Sequence, residues 1–345
     1  MSPYALTIAI PTYNRNELLL RSVRYLLQEP TDNVKLLVLD NHSEVPVSET
    51  LLPVMESLQT GRLEIHRNVV NVGSAANMLR CFELCQTKWI WLITEKTVLK
   101  PGGITKVLQT LEDHPDCVFI NFDVALEPPL RHIPHRSESI TTTGRAELIR
   151  NILYFGTIID QMANVYSVPR CRPFLDKGYF YAASGAAQLV LVLLALCDTD
   201  HCFLSCDQIV TRIGKPPQEL SSWSTLAFAQ NCMTVLNLPL TRSERKILQQ
   251  KLIEFMPSLR HYIAKFIVLA ADRDPSAYYY FSHYVHLMTF HDRRLYTRLA
   301  LTAARFMMMA PSMTARCLDR LAQWGFNRSI YEAGETREQI ARASR

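Results

Sequence analysis

The sequence predicts an α/β protein, in which a mostly parallel sheet flanked by helices is followed by a helical region. Three observations support this fold class. Short β-rich runs alternate with helical patterns through residues 1–125, polar loops follow several of these runs, and residues 216–345 carry almost purely helical patterns. Such alternation is typical of βαβ units and parallel sheets. We therefore expect one domain at residues 1–215 and an α-helical region at residues 216–345.

Five apolar, β-rich runs are predicted as strands, at residues 6–10, 34–39, 63–66, 89–93 and 118–121. The helical patterns between them lie at residues 16–27, 49–58, 74–86 and 104–113. In a parallel sheet, ligands bind beyond the carboxyl ends of the strands. The polar loops at residues 11–15, 40–44 and 94–97 each follow a predicted strand. We expect these loops to form the ligand site.

The chain changes character at residues 128–143, where prolines, arginines, histidines and a Ser/Thr run predict a long polar loop that acts as a flap. Four further elements are predicted after it: a helix at 145–153, a β-rich segment at 157–168, a helix at 182–196 and strands near 203–212. The segment Gly214-Lys215-Pro216-Pro217 then marks a domain boundary.

The amino-acid composition limits which partners and which cellular compartment the sequence suggests. The chain has 345 residues, 48% of them hydrophobic, a net charge of +5 and a pI of about 8.7. This charge is too small to indicate a nucleic-acid partner, but it suits anionic substrates or an anionic membrane surface. The nine cysteines lie mostly among apolar residues, which indicates reduced thiols in a cytoplasmic protein. Their spacing does not predict a zinc site.

Membrane association is predicted to be peripheral at most. The longest apolar run, residues 189–197, is shorter than the roughly 20 residues that a spanning helix needs, and we see no signal peptide. Residues 293–309 place arginines beside apolar residues. This segment is either a core-facing amphipathic helix with a solvated basic side or an interfacial helix on anionic lipid. We expect a cytoplasmic protein that can bind the inner face of the membrane.

Four polar segments follow the strands in a regular order. They are Pro11-Thr12-Tyr13-Asn14-Arg15, Asp40-Asn41-His42-Ser43, Asn71-Val72-Gly73-Ser74-Ala75-Ala76-Asn77 and Glu95-Lys96-Thr97. An acidic residue at the end of a second strand, such as Asp40, can accept hydrogen bonds from ribose hydroxyls or from a base N–H. The alternative for Asp40 and Asn71 is turn or cap chemistry. No single segment is specific, and it is their order that indicates a binding site.

This series resembles the family 2 glycosyltransferases of GT-A fold, closely over residues 5–115 and more diffusely to residue 215. Members of that family carry P-T-Y-N-R, then V-x-D-N-x-S, then N-x-G-x-x-x-N, and then an acidic D-x-D loop followed by L-x-P-G. The resemblance implies a nucleotide-sugar donor and assigns its binding to matching residues. These are Pro11, Thr12, Tyr13, Asn14, Arg15, Asp40, Asn41, Asn71, Gly73 and Asn77.

The D-x-D loop is where the chain departs from the family. Three acids usually stand here and the last of them reaches a metal, whereas this chain has Glu95, Lys96 and Thr97. Thr97 is a poor metal ligand, and the Lys96 ammonium would repel Mg²⁺ or Mn²⁺. Lys96 can instead neutralise the leaving diphosphate directly. We therefore expect no metal cofactor. The alternatives are weak Mg²⁺ or Mn²⁺ binding through Glu95 and an inactive site.

Inverting sugar transfer needs a general base near the acceptor hydroxyl. Asp160 is the candidate, because it lies in otherwise apolar, β-rich sequence, where a carboxylate is unusual and suggests a functional role. The alternatives are Asp123, Glu95 and Asp207. In the predicted flap, His132, His135 and Arg136 either contact phosphate or acceptor or are simply solvated.

The resemblance implies an inverting glycosyltransferase that acts on a glycan or a lipid-linked acceptor, in bacterial surface polysaccharide or lipopolysaccharide synthesis. The altered acidic loop motivates an alternative, a noncatalytic subunit that binds sugar-nucleotide or glycan in a polysaccharide-assembly complex. Neither G-x-G-x-x-G after the first strand nor G-x-x-x-x-G-K-[ST] occurs, which argues against dinucleotide oxidoreductases and P-loop enzymes.

Overall fold

A computed structural model of the protein describes residues 4–29, 33–57, 61–127, 134–213 and 231–255, together with the single positions 302, 303, 309 and 313. The chain divides into two compact units. The first comprises Met1–Gly214 and Val235–Lys251, and the second comprises Lys215–Thr234 and Leu252–Arg345. Most of the predicted helical region, residues 216–345, lies outside the described residues, so the predicted domain division stays a prediction.

Nine strands of the described residues form one sheet. They are β1 (Leu6–Thr12), β2 (Val34–Asp40), β3 (Leu63–Arg67), β4 (Trp89–Leu92), β5 (Val98–Leu99), β6 (Cys117–Glu127), β7 (Ile140–Thr143), β8 (Asn164–Ser167) and β9 (His201–Ile213). Their order is β3-β2-β1-β4-β8-β6-β9-β5, and β7 also pairs with β9. Strands β5, β7 and β8 run against the other six, so the sheet is mixed but mostly parallel, as predicted.

Ten α-helices are described. They are α1 (Asn16–Gln28), α2 (Val47–Ser57), α3 (Ser74–Leu84), α4 (Gly103–Asp113), α5 (Gly144–Asn151), α6 (Phe155–Ile158), α7 (Val168–Cys171), α8 (Leu175–Phe180), α9 (Ala187–Ala195) and α10 (Arg242–Phe255). Helix α1 shows how they cover the sheet. It buries Leu19, Val23 and Leu26, which recur at helical spacing on one face.

The hydrophobic core explains why β1, β2 and β4 are nearly continuous apolar runs. Every residue of β4 is buried, and Leu6, Ile8 and Ile10 of β1 are completely buried in the core cluster with residues of α1, α2 and α4. A strand covered on both faces cannot alternate with polar residues. Each such buried side chain stabilises the fold by roughly 1.5–3 kcal/mol. The core thus holds the strand ends in fixed register.

The predicted β-rich segment at residues 157–168 is mostly wrong. Residues Phe155–Ile158 form α6, residues Gln161–Ala163 form a 3-10 helix, and only Asn164–Ser167 form a strand. The Asn164 side chain donates to the backbone oxygens of Ile158 and Asp160 at 2.8 and 2.7 Å. Such side-chain to backbone bonds offer the chain an alternative to a ladder.

The predicted flap is partly a strand. Residues 128–133 lie outside the described residues, but Ile140–Thr143 form β7, which pairs antiparallel with β9 from Ile140↔Leu204 to Thr143↔His201. The two-residue strand β5 was also not predicted. Both depend on β9, a partner far away in sequence. Helix α9 lies within the predicted helix at residues 182–196 and is almost fully buried. None of the described helices has the length and apolar character to cross a bilayer.

Candidate active site

The loops predicted to form the site meet at one edge of the sheet. Thr12 at the end of β1 pairs with Asp40 at the end of β2, and Asp40 pairs with Arg67 at the end of β3. On the other side of β1, the backbone N–H of Ile93 donates to the oxygen of Ala9 at 3.0 Å and leads into the Glu95 loop. Four parallel strands therefore deliver their carboxyl-end loops side by side.

Asp40 is completely buried, and the protein itself occupies both of its carboxylate oxygens. Oδ1 accepts from the backbone N–H of Ser43 at 2.8 Å, and Oδ2 accepts from Arg67 Nη1 at 2.6 Å and from the N–H of Val47 at 3.4 Å. Arg67 Nη2 also donates to the Ser43 oxygen at 2.7 Å. The predicted contact between Asp40 and ribose or base stays a prediction. The structure shows Asp40 ordering its own loop and orienting Arg67.

Sequence reasoning missed Arg67, although a signal was present. Arg67 is a basic residue at the carboxyl end of the strand next to β2. Its side chain is one-third exposed, while its partner Asp40 is not exposed at all. A guanidinium held by a buried carboxylate presents its remaining N–H groups in a fixed direction. Arg67 is therefore an additional candidate for contact with an anionic or carbonyl-bearing ligand.

Four asparagines form a hydrogen-bonded cluster beneath the site. Asn41 Nδ2 donates to Asn71 Oδ1 at 2.7 Å, and Asn68 Nδ2 donates to Asn41 Oδ1 at 2.9 Å and to Asn77 Oδ1 at 2.7 Å. Asn77 in turn donates to the Leu39 oxygen at 3.1 Å. The predicted residues Asn41, Asn71 and Asn77 are thus brought together through Asn68, which was not predicted.

The backbone conformation at residue 73 favours glycine. It precedes α3 with φ of 84°, in a region that residues with a Cβ atom rarely adopt. Its N–H donates to Asn71 Oδ1 at 2.9 Å, so the start of α3 is tied to the asparagine cluster. The predicted residues after β2 and before α3 therefore form one rigid floor.

The segment after β1 is hydrogen-bonded to the loop after β2, where the Asn41 N–H donates to the Thr12 oxygen at 2.9 Å. Thr12 is buried, and its hydroxyl has no hydrogen-bond partner among the described residues. Pro11 is half-buried and Tyr13 is 43% exposed. Asn14 adopts a left-handed conformation with φ of 52°, and its N–H donates to Ser43 Oγ at 2.9 Å. The β1 and β2 loops are thus joined directly, with Tyr13 open to a ligand.

Arg15 and Glu95 form an ion pair across the site. Arg15 Nη1 lies 3.3 Å from Glu95 Oε2, and the side chains are 49% and 3% exposed. Ser22 Oγ of α1 donates to the Glu95 backbone oxygen at 2.8 Å. The one carboxylate of the altered loop is thus buried and turned toward a guanidinium.

The rest of the loop is a closed turn with Lys96 at its tip. The N–H of Thr94 donates to Thr97 Oγ1 at 2.9 Å, and the N–H of Thr97 donates to the Thr94 oxygen at 3.0 Å. Lys96 is exposed, and its ammonium makes no ion pair within the described part of the chain. The loop therefore exposes the Lys96 ammonium, while the Thr97 hydroxyl is held inside the turn by Thr94.

These residues do not fit a divalent metal. Glu95 faces Arg15, Thr97 is engaged in the turn, and Lys96 adds a positive charge at the tip. Over residues that the structure describes, no three His, Cys, Asp or Glu side chains are grouped as metal ligands would be. Mg²⁺ and Mn²⁺ prefer several oxygen ligands, which this loop does not supply.

Asp160 lies at the same edge of the sheet, but its carboxylate stabilises the turn to which Asp160 itself belongs. It caps the 3-10 helix Gln161–Ala163 and accepts from the Met162 N–H at 3.3 Å. Met162 approaches the loop after β4, because its backbone oxygen accepts from Trp91 Nε1 at 2.9 Å and its sulfur lies 3.9 Å from Thr94 Oγ1. The structure thus brings the Asp160 segment beside the Glu95 loop. Its role as general base stays a prediction.

The alternative acids have different surroundings. Asp123 lies in β6 and its Oδ2 is 2.8 Å from His135 Nδ1, a pairing that the sequence did not reveal. Asp207 is 41% exposed and pairs with Lys106 at 3.1 Å.

The basic residues of the predicted flap are only partly described. Arg136 donates to the Asn151 backbone oxygen at 3.0 Å, and burial lowers the pKa of its guanidinium. His132 lies outside the described residues.

Comparisons with known proteins agree with this architecture. Residues 7–164 match the model of the family described as Glycosyl transferase family 2. S. aureus TarS 1-349 in complex with UDP-GlcNAc is similar with a TM-score of 0.62 and 11% identity, over 90% of this chain and 92% of that chain. Mannosyltransferase PcManGT from Pyrobaculum calidifontis in complex with GDP-Man and Mn2+ is similar with a TM-score of 0.50 and 10% identity, over 97% and 87%. No curated protein matches the sequence. The structural likeness shows the fold, and the predicted GT-A class is confirmed.

Proposed function

Since residues 7–164 match the model of glycosyl transferase family 2, we propose that the protein is an inverting enzyme that transfers a sugar from a nucleotide-sugar donor to a glycan or lipid-linked acceptor. That the protein is a glycosyltransferase is what the sequence predicts and the family match shows. One observation carries the finer proposal. Four polar loops converge at one sheet edge, and an unpaired cation, Lys96, is exposed among them within the described residues.

The donor would bind across the ends of β1 to β3. Tyr13 offers an exposed aromatic ring, and the buried Thr12 hydroxyl has no partner among the described residues. Arg67 and the floor formed by Asn41, Asn71, Gly73 and Asn77 lie beside them. Aromatic rings and fixed hydrogen-bond donors suit a nucleoside. UDP-GlcNAc, the ligand of the similar TarS structure, is the first donor to test.

Cations of the protein would hold the diphosphate without a metal. Lys96 is exposed at the tip of its turn, and Arg15 is half-exposed while Glu95 anchors it. When the bond between the sugar and the phosphate breaks, negative charge grows on the leaving diphosphate. A preorganised cation stabilises that charge most in the transition state. Glu95 would then act by positioning Arg15.

Transfer also releases the proton of the acceptor hydroxyl, and two groups at this edge can take it. Asp160 is the candidate from the sequence, and His135 is one that the structure adds through its pairing with Asp123. The acceptor that we propose belongs to bacterial surface polysaccharide or lipopolysaccharide synthesis. No nucleic acid takes part.

Membrane docking is a further part of this proposal. Basic and apolar residues alternate in residues 293–309, most of which lie outside the described residues. A lipid-linked acceptor would bring the enzyme to the inner face of the membrane. Co-sedimentation of the whole protein with vesicles should then increase with anionic lipid and decrease with salt. Binding that ignores both variables would contradict the docking.

A second candidate function is noncatalytic binding of a sugar-nucleotide or glycan in a polysaccharide-assembly complex. The altered loop favours it, because Lys96 and Thr97 replace residues that are acidic in most of the family. A protein of this kind would keep the floor and the cations of the site. It would bind a donor without breaking the sugar–phosphate bond.

Two measurements on the whole protein separate these functions. A panel of UDP-GlcNAc, UDP and GDP-Man is tested by thermal shift, since specific binding raises the apparent stability. Release of nucleotide from each donor is then measured with and without EDTA. We expect binding and EDTA-resistant release. Binding without release supports the noncatalytic subunit, and loss of release in EDTA contradicts the metal-independent site.

A further inference from the structure

The pair formed by Asp123 and His135 is built into an irregularity of the sheet. The pairing of β6 with β9 shifts register on both sides of Asp123, which lies opposite Gln208. Bulges of this kind redirect side chains and are frequent next to active sites. Asp123 is 8% exposed, yet its carboxylate meets a His135 side chain that is 42% exposed. The irregularity thus connects a buried acid with the surface.

Three contacts with described residues hold the Asp123 carboxylate in one orientation. Its Oδ1 accepts from the Val124 N–H at 2.9 Å, and its Oδ2 lies 2.8 Å from His135 Nδ1 and 3.3 Å from Gln208 Nε2. Lys100 Nζ donates to Gln208 Oε1 at 3.1 Å. That contact fixes which end of the Gln208 amide faces Asp123, because an ammonium can only donate.

The shorter of two contacts at His135 Nδ1 favours one tautomer. Nδ1 lies 2.8 Å from Asp123 Oδ2 and 3.3 Å from Gln208 Nε2. An ionised carboxylate only accepts hydrogen bonds, so the closer contact favours a neutral ring with its proton on Nδ1. The other nitrogen, Nε2, then carries the free lone pair. A carboxylate that orients an imidazole in this way also stabilises the imidazolium that forms when Nε2 takes a proton.

The pair is connected to the loop that carries Lys96. From β4 the chain crosses to β5, which pairs with β9 at Val98↔Thr211 and Leu99↔Val210. Lys100 follows at once and contacts Gln208, the neighbour of Asp123. Lys96 lies four residues before Lys100, a separation that spans at most about 14 Å. An acceptor at His135 and a diphosphate at Lys96 would therefore lie at the same edge of the sheet.

We infer that His135, oriented by Asp123, is the group that takes the proton of the acceptor hydroxyl. This inference rests on the proposed transferase function. The acceptor oxygen forms a bond to the anomeric carbon, the bond from that carbon to the phosphate oxygen breaks, and its electron pair leaves with the diphosphate. The acceptor proton moves to His135 Nε2 and is then lost to solvent. His135 is the catalytic residue, and Asp123 is a positioning residue.

Asp160 is less well placed for this step. Its carboxylate accepts from Met162, two residues ahead in the same turn, and caps the 3-10 helix Gln161–Ala163. Removing this cap would change the turn itself. In the part of the chain that the structure describes, hydrogen bonds of His135 involve Nδ1 and not Nε2. Parallel variants at the two positions separate a catalytic role from a structural one.

The test uses release of UDP from UDP-GlcNAc, with water as the acceptor, and binding of UDP by thermal shift. We expect His135→Ala to lower turnover by about 10²–10⁴-fold, the usual contribution of a general base, with UDP binding unchanged. Added imidazole should restore turnover in proportion to its concentration. Asp123→Asn should lower turnover less, and Asp160→Asn should keep most of it.

His201→Ala is the matched control, since His201 is an exposed histidine at the opposite end of β9 and imidazole should not affect its turnover. Normal turnover of His135→Ala overturns the inference. A loss that imidazole does not restore overturns it as well, because a structural role of His135 would give that result. A wild-type protein that binds UDP but never releases it from UDP-GlcNAc contradicts the transferase function itself, which is a distinguishable result.

Discussion

The guanidinium of Arg15 lies 3.3 Å from the buried carboxylate of Glu95. These two residues are 80 positions apart, and one follows the first strand while the other follows the fourth. In the function proposed above, the pair would place the charge of Arg15 beside the donor diphosphate. Glu95 would then hold Arg15 in position and would not bind a metal.

The Arg15–Glu95 pair should appear as coupling in a double-mutant cycle. Arg15→Met leaves a buried carboxylate without its partner, whereas Arg15→Met combined with Glu95→Gln removes the charge as well. We expect a coupling energy of about 0.5–3 kcal/mol in urea denaturation, as is usual for residues in contact. Additive effects of the two substitutions would show that the pair is only incidental.

Lys96→Ala should lower turnover far more than donor affinity. A fixed cation stabilises the charge that develops on the diphosphate, so its loss should raise the barrier by about 2–4 kcal/mol. Nucleotide release from UDP-GlcNAc and UDP binding are measured together, with EDTA present. Lys88→Ala is the matched control, because Lys88 is exposed at the other end of β4, 5.7 Å from the Trp89 ring centre. Strict Mg²⁺ or Mn²⁺ dependence, or normal turnover of Lys96→Ala, would refute the role of Lys96.

Asp40→Ala should affect both stability and donor binding. The substitution removes the acceptor of Arg67 and of two backbone N–H groups, and a buried donor that loses its acceptor typically costs about 1–3 kcal/mol. Donor affinity should fall by roughly 1–3 kcal/mol, because the loop and Arg67 lose their orientation. Urea denaturation and UDP titration measure the two effects. A folded variant with unchanged UDP affinity would exclude Asp40 from nucleotide binding.

The ion pair of Arg145 and Glu244 should make stability depend on pH in the acid range. Thr241 and Glu244 form a capping box at the start of α10, and Arg145 Nε donates to Glu244 Oε1 at 3.0 Å. Burial acts to raise the pKa of Glu244, but the hydrogen bonds from Arg145 and Thr241 outweigh it and lower the pKa below the ordinary 4.5.

A lowered pKa in the folded state means that the folded protein binds this proton less readily than the unfolded chain. The stabilisation is therefore complete above pH 4.5 and is lost as the pH falls through the folded-state value. We expect Glu244→Gln to cost about 1–3 kcal/mol near neutral pH, and this difference from the wild type should shrink below pH 4.5. Urea denaturation at several pH values checks this, and a difference that does not vary with pH would contradict it.

Local patterns in the sequence were sufficient for the first half of the fold. The strands β1, β2 and β4 are apolar because both faces are covered, and the helices between the first four strands carry helical periodicity, so these elements follow from their own residues. The order of the polar loops likewise predicted which residues meet at the sheet edge. Strands β5 and β7 were missed because their stability comes from pairing with β9, which local patterns do not encode.

By itself, the sequence determined the fold class, the family resemblance and the edge of the sheet where Asp40, Asn77 and Lys96 belong. Only the tertiary structure decided what these side chains contact. It showed that Asp40 is saturated by Arg67, that Glu95 faces Arg15 and that Asp123 holds His135. These partners are 27, 80 and 12 positions apart in the chain. The physical reason is that hydrogen bonds and ion pairs depend on distances of a few ångströms, which the packing of strands sets and residue spacing does not.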